Sequence, residues 1–368
     1  MKTAPDSKPR AGKPMLRRPS ASDGRRLLIK DFSMDDLCAF LEQRGHEPYR
    51  GRQVWEWLHG KCAASFDEMR NLPRALREDL SALFAVDALA VDRVLDSQDG
   101  SRKFLLRAAD GETIQSVLMP DGRRLTLCVS SQAGCAMGCA FCLTGAGGLR
   151  RKLETAEIVD QAVLAAREPG ALERISNLVF MGMGEPLANF DSVGAALRML
   201  THEKGLAFAP RRITVSTAGL ANRIRRAARE WPPVNLAVSL NAPDDALRDR
   251  LMPVNRKFPI EELLGACRHY ARATGRQVTI EYVLLDGVNH APRHARTLAK
   301  RLDGMPCKVN LIPFNPFEGA SFKRPSDGSV LAFQEELKRN GIEAFVRNSR
   351  GRDIGAACGQ LGGTPHGR

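Results

Sequence analysis

Three cysteines fall within eight residues, Cys135-Ala-Met-Gly-Cys139-Ala-Phe-Cys142. Thiolates at that spacing can converge on one iron–sulfur cluster from a single short loop. A cubane cluster has four irons, so three cysteines leave one iron without a ligand from this motif. An open metal position is where a substrate or cofactor binds. Two plainer readings compete. One is a set of buried, inert thiols acting as small hydrophobes. The other is zinc, which wants a fourth Cys or His, and none follows closely. The chain has nine cysteines, an odd number and too few for a disulfide scaffold. With no apolar stretch after the basic start, it reads as a protein without an export signal. Metal or redox chemistry in a reducing cytoplasm is then the better use of those thiols.

Such a loop needs a rigid element before it, and the sequence supplies one. From residue 125 onward, apolar runs alternate with helical patterns. The runs predict strands over 125–130, 177–181, 212–217, 235–240, 278–285 and 308–314, with a further short one over 343–347. Helical periodicity falls between them, over 155–167, 192–201, 220–229 and 260–274. This alternation argues for parallel β/α units, six of them, closing as a partial barrel or lying open as a wound sheet. In both cases ligands sit at the carboxyl ends of the strands, and the cysteine triplet follows the first.

The expected class is therefore α/β, a partial (β/α)6 barrel with a small N-terminal helical domain. Residues 1–28 read as a disordered basic tail, because so few large apolar residues cannot offset the ordering entropy. Residues 29–88 carry helical stripes: Leu37, Phe40 and Leu41 after Ser33, a candidate cap, then Val54, Trp55 and Leu58, then Leu76, Leu80 and Leu83 after Pro73. Arg50, Arg52, Arg70, Arg74 and Arg77 could give that domain a basic face, or simply a solvated one. Residues 89–124 read as linking strands with turns at Asp99-Gly100 and Asp110-Gly111. The barrel with its C-terminal loop takes 125–363, and 364–368 is a tail. No apolar run approaches the length of a membrane helix. The formal net charge of +13 favours a polyanionic partner, with nucleic acid first.

The cysteine triplet after the first strand of a β/α series resembles the signature of the radical S-adenosylmethionine enzymes. Its surroundings resemble one branch, the RNA adenine methyltransferases of the RlmN/Cfr family. The matching segments are Leu127-Cys128-Val129-Ser130-Ser131-Gln132-Ala133-Gly134-Cys135, Met181-Gly182-Met183-Gly184-Glu185-Pro186-Leu187, Arg212-Ile213-Thr214-Val215-Ser216-Thr217, Ala237-Val238-Ser239-Leu240-Asn241-Ala242-Pro243, Asn310-Leu311-Ile312-Pro313-Phe314-Asn315-Pro316-Phe317, and the stretch from Arg347 to Gly359. They run in order from about residue 30 to 363.

The resemblance implies a [4Fe-4S] cluster on Cys135, Cys139 and Cys142, with S-adenosyl-L-methionine on its open iron, two molecules of it per turnover. One would methylate Cys358; the other would be cleaved to a radical that activates that methyl group. Cys128 would help resolve the protein–RNA adduct through a transient Cys128–Cys358 disulfide. Gly184, Glu185, Ser216, Ser239, Leu240, Asn241 and Asn315 would bind the cofactor. These positions also read well on their own terms. Gly184 and Glu185 end the second strand, where backbone can approach a ligand and a carboxylate can hold an ammonium. Ser216, Ser239, Asn241 and Asn315 fall at or beyond strand ends that face one rim. The implied partners are 23S rRNA, a tRNA and an electron donor such as flavodoxin, for a monomer acting in the cytoplasm. There is a chemical reason for a radical route, since C2 of adenine has no lone pair for ordinary methyl transfer. The rivals are methylation at C8, a radical enzyme with a non-RNA substrate, and a non-catalytic iron–sulfur RNA-binding module. One departure stands out. Where the family often has a glutamate acting as proton acceptor, this chain has Gln115, and Glu112 is the nearest carboxylate.

Overall fold

The computed structural model describes residues 26–362. The expected tails therefore lie outside the described residues, apart from 26–28. There Leu27 and Leu28 pair with Phe84 and Ala85 in a short parallel bridge, so they belong to the fold.

Ten strands form one sheet. We number them β1 (Leu89–Asp96), β2 (Arg102–Ala108), β3 (Thr113–Asp121), β4 (Arg124–Cys128), β5 (Ile175–Phe180), β6 (Ile213–Thr217), β7 (Asn235–Ser239), β8 (Val278–Leu284), β9 (Cys307–Pro313) and β10 (Ala344–Val346). Their spatial order follows the chain without exception. Strands β4 to β10 pair in parallel. Helices such as Thr155–Ala166, Phe190–Leu200, Ala221–Glu230 and Ile260–Thr274 join them. The interior strands are apolar runs because both faces of a parallel sheet are covered, and Val278, Ile280, Tyr282 and Leu284 of β8 are fully buried.

The segment expected to link the two parts has a different role. β1, β2 and β3 are an antiparallel meander hydrogen-bonded to β4, so they extend the sheet. Both Asp-Gly turns are real, with Gly100 and Gly111 at φ 82° and 88°.

The N-terminal part folds around Leu37, Leu41, Val54, Trp55, Leu58, Leu76 and Leu80, all buried. Ser33 caps helix Met34–Gln43 in a reciprocal bond pair with Asp36. A buried ionic knot ties this part to the barrel. Lys30 bonds Asp160 on helix Thr155–Ala166 and lies 2.8 Å from Asp87. Arg167, at the end of the same helix, donates to Asp87 at 2.6 and 2.9 Å and to the carbonyls of Cys62 and Ala63. The second oxygen of Asp160 accepts the amides of Ala88 and Leu89. Every charge in the knot is therefore paired, as burial requires.

Candidate active site

Strand β4 delivers the chain to a short hairpin, Gln132–Gly134 with Leu149–Lys152, and the cysteine loop is the excursion between its arms. Close backbone contact fixes that loop. The Cys135 amide donates to Gly148 O at 2.8 Å and Ala140 N to Leu251 O at 3.0 Å. Gly134 has φ 79°, and a Cβ there would lie 2.0 Å from Gly148 O, so no side chain fits. Cys135, Cys139 and Cys142 all line one cavity at the carboxyl ends of the parallel strands. Burial raises all three thiols, Cys135 to about 12.

The donor set fits an iron–sulfur cluster: three thiols line one cavity, and a cluster takes one cysteine thiolate per iron.

The opposite wall comes from the strand ends. Gly184 has φ 102°, and a Cβ there would meet Gln132 at 2.6 Å. Glu185 is buried, which pushes its carboxyl up to about 7 even though backbone amides hold it. One oxygen accepts Leu187 N at 3.0 Å and the other Ala218 N at 2.6 Å. The Thr217 side chain bonds the carboxylate as well, and with three of its lone-pair sites used the carboxylate keeps room for a ligand. Ser216 and Ser239 line the cavity, as does Asn315, whose Nδ2 donates to Cys358 O at 3.1 Å while its buried Oδ1 has no partner.

Two expected residues stand behind the wall. Leu240 is fully buried, and its amide donates to Glu281 O at 3.0 Å. Asn241 takes φ 59°, and its Oδ1 accepts Val283 N at 2.7 Å. Its side chain shapes the loop and does not line the cavity, because those local bonds occupy it.

Three charged residues went unread in the sequence. Arg248, 0% exposed, donates to the carbonyls of Ala218, Ser239 and Leu240 and to Asn255 Oδ1. It staples the ends of β6 and β7 from behind; desolvation lowers its guanidinium to about 10. It sits in Arg-Asp-Arg, which looks like solvated helix surface. Glu281, 4% exposed, lines the cavity with Oε1 on Asn310 and Oε2 unpartnered. Its signal was a lone carboxylate inside an apolar strand. Arg347 also lines the cavity, with Nη1 3.2 Å from Met181 Sδ.

Cys358 stands on a boundary. It lines the first cavity and also a second, smaller one, which contains Cys128 in its lining. The loop carrying Cys358 is tied down on two sides. Toward the meander, Gly351 N donates to Asp99 Oδ2 at 2.9 Å, Asp353 accepts from Ser97 and Gln98, and Lys103 donates to Gly355 O. Toward the cysteine loop, Leu143 N donates to Gly359 O at 2.8 Å and Thr144 Oγ1 to Leu361 O at 2.6 Å. Burial first, and then nearby Cys358, push the Cys128 thiol up to about 12. The expected Cys128–Cys358 disulfide is not formed; all nine cysteines are free. The fold does not need it, since hydrogen bonds already hold the loop.

Gln115 is buried on β3, and its Oε1 accepts Gly362 N at 3.3 Å. Glu112 pairs with Arg150 and lines neither cavity. The expected basic face is partly used up locally. Arg50 stacks on Tyr49 and donates to Gln53, Arg74 pairs with Glu78, and Arg77 donates to Asp67 O. Arg52 and Arg70 are exposed.

Known proteins resemble this chain along nearly its whole length. The Radical SAM superfamily model matches residues 129–298, and the Ribosomal RNA large subunit methyltransferase N-terminal domain model matches residues 28–86. A dual-specificity RNA methyltransferase RlmN of Syntrophobacter fumaroxidans is 50% identical, covering 90% of this chain and 97% of that protein. One from Geobacter sulfurreducens is 50% identical, covering 91% and 92%. The crystal structure of a radical SAM methyltransferase from Sphaerobacter thermophilus superposes with a TM-score of 0.88 at 47% identity, covering 91% of this chain and 99% of that one.

Proposed function

The chain belongs to the RlmN family of radical SAM RNA methyltransferases, and on that premise we propose how its residues carry a methyl group from cofactor to RNA. It is an enzyme of the dual-specificity RNA methyltransferase type, as its relatives are named. In our reading the substrate position is C2 of an adenine, in 23S rRNA near the peptidyl-transferase centre and in a tRNA anticodon loop.

Cys135, Cys139 and Cys142 hold the [4Fe-4S] cluster. When bound, the cluster and two S-adenosyl-L-methionine molecules supply a methyl group and a one-electron route to activate it. Glu185 offers its remaining lone pair to the cofactor's ammonium, and Ser216, Ser239 and Asn315 offer hydroxyl and amide groups along the same wall. Leu240 and Asn241 act through backbone position. Cys358 accepts the methyl group on its sulfur and carries it to the base. In this reading the ring gives up its C2 hydrogen as a proton and returns one electron once the carried carbon is bonded to C2. The Cys128 sulfur then bonds the Cys358 sulfur as the Cys358 S–CH2 bond breaks, and the freed carbon takes the Cys128 proton to become the methyl group of the product. The resulting pair is a turnover disulfide that must be reduced. An external donor such as flavodoxin supplies electrons to a monomer working in the cytoplasm. Among the described residues no helix is long and apolar enough to cross a membrane.

One observation carries this reading: Cys358 lies in the wall shared by the cysteine-lined cavity and the cavity of Cys128. The test is anaerobic reconstitution with iron and sulfide, then incubation with ribosomal RNA fragments and mass spectrometry of the nucleosides. We expect 2-methyladenosine. Recovery of 8-methyladenosine instead would move the enzyme to the other branch, and no methylated base would remove the RNA reading.

A further inference from the structure

The cysteine-lined cavity holds two buried carboxylates, one toward each end. Glu185 sits on the cluster side: burial raises the Cys135 and Cys139 thiols, and the charge of Glu185 raises both further. Glu281 sits on the Cys358 side. The Cys358 sulfur first, and Glu281 after it, hold the Arg347 guanidinium charged against burial. Glu281 lies mid-strand on β8, in register with Ser239 of β7 and Asn310 of β9. Its neighbours Ile280 and Tyr282 are fully buried, so it is an isolated charge in an apolar strand. Asn310 donates to its Oε1 at 3.0 Å, whereas its Oε2 is buried with no partner. No cation lies within ion-pair distance of it among the described residues. Arg347 is engaged by Cys358 and directs Nη1 to Met181 Sδ at 3.2 Å. Burial pushes the Glu281 carboxyl up, and Arg347, the Asn310 bond and Lys308 only oppose that rise. A buried carboxylate without a close counter-charge is costly. A cation entering the cavity removes that cost and holds the group ionised.

We propose that Glu281 is the counter-charge for the sulfonium of S-adenosyl-L-methionine, and that it selects the intact cofactor over its spent, uncharged form. The inference rests on the proposed function, which gives the cavity that cofactor. The molecule carries two cationic centres, an ammonium and a sulfonium. The carboxylate on the cluster side takes the ammonium. The one on the Cys358 side then faces the sulfur whose methyl group Cys358 receives. In that transfer the Cys358 thiol first loses its proton to solvent, and its sulfur forms the new S–CH3 bond. The S–CH3 bond of the sulfonium breaks, and its electron pair stays on the cofactor sulfur. The product left in the cavity, S-adenosylhomocysteine, is a neutral thioether at that atom. Glu281 then faces no cation, so the spent molecule is held less tightly than a fresh one. Two cofactor molecules are used per turnover in the proposed function, and this difference in charge drives the exchange between them.

The test is binding, measured by equilibrium dialysis on the anaerobic, unreduced holoenzyme. Three probes share the adenosine and amino-acid ends and differ at the centre. S-adenosyl-L-methionine has a sulfonium, sinefungin a protonated amine in its place, and S-adenosylhomocysteine a neutral thioether. The wild type should bind both cations at least about tenfold tighter than the thioether, the size of one close charge contact. Glu281→Gln keeps the shape and an oxygen for Asn310 and removes only the charge. In that variant the preference should shrink to about twofold or less. S-adenosylhomocysteine should bind it as it binds the wild type, which shows the cavity intact. As a second reading, S-adenosylhomocysteine should inhibit methyl loading of Cys358 more strongly in Glu281→Gln, relative to the KM for the cofactor. Equal weakening of all three probes would assign Glu281 to a part they share, and would overturn the proposal. So would an undiminished preference in Glu281→Gln, or none in the wild type. Assay on ribosomal RNA fragments separates the two readings. If Glu281→Gln loses the preference while the wild type methylates no RNA, the counter-charge stands and the RNA methyltransferase reading fails. If the wild type makes 2-methyladenosine and Glu281→Gln keeps the preference, the counter-charge fails and that reading stands.

Discussion

The cysteine loop and the Cys358 loop face each other across the site and are held in different ways. The first is fixed by backbone: amide-to-carbonyl bonds from Cys135 and Ala140, and Gly134 packed where no Cβ fits. Behind it Arg248 locks the strand ends with bonds that leave no water in reach. Both loops carry left-handed glycines, Gly134, Gly138 and Gly148 in the first and Gly351, Gly355 and Gly359 in the second, and both have backbone ties, but the second rests also on side chains at the protein surface such as Asp353 and Ser97. A cluster must keep its ligand positions, whereas under the proposed function the Cys358 sulfur has to meet first the cofactor and then the base. The difference in anchoring matches that difference in duty.

Removing each sulfur in turn breaks the comparison most sharply. Cys139→Ala should strip iron and colour from anaerobic protein and end all activity. Cys358→Ala should leave iron content unchanged and still abolish RNA methylation. Unchanged product yield from Cys358→Ala would end its role as carrier. Next in size is Arg248→Met, which leaves buried carbonyls without donors. We expect a loss of about 3–5 kcal/mol in unfolding free energy, since each buried acceptor left without its donor costs about 1–3 kcal/mol. Urea denaturation checks it, and a loss below about 1 kcal/mol would show that the strand ends do not depend on this staple.

The Cys358 side should respond in rate more than in stability. Asp353→Ala removes exposed anchors, so its unfolding midpoint should barely move while RNA methylation slows several-fold. An equal effect on both would show that the loop is part of the core. The smallest effect concerns acid. Burial opposes ionisation of Asp99, but bonds from Gly351, Ser101 and Ser97 outweigh it and hold the carboxyl down at about 2. A carboxyl lowered from 3.8 in this way stabilises the anchor fully above 3.8, and that contribution is lost as pH falls toward 2. Pepsin should therefore begin to cut between Gly351 and Gly359 as pH drops through that window, and Asp99→Asn should be cut already at its upper end.

Much of the sheet was legible because interior parallel strands must be apolar on both faces, so β5 to β9 announce themselves as runs. Their observed ends differ from the expected ones by one or two residues. The cysteine triplet was legible because three thiols in eight residues have few other uses. The meander was recognised as strands but not as part of the sheet, since partners depend on distant segments that local alternation does not encode. Arg248 was invisible for a similar reason: an arginine in a polar helix reads as surface until the carbonyls it serves are brought around it. Asn241 shows the reverse. A polar residue at a strand end reads as a ligand group, yet the local amide of Val283 takes its oxygen.

The ionic knot of Lys30, Asp87, Asp160 and Arg167 has a consequence for how nucleic acid is handled. Pulling the helical unit away from the barrel would break the Lys30–Asp160 and Asp87–Arg167 pairs together with the bonds from Arg167 to the carbonyls of Cys62 and Ala63, at a cost of several kcal/mol. This is a tool with fixed jaws. The distortion that brings an adenine to the sulfur has to be borne by the RNA, and targets already loosened at a bulge or loop tip should be the ones it can work on.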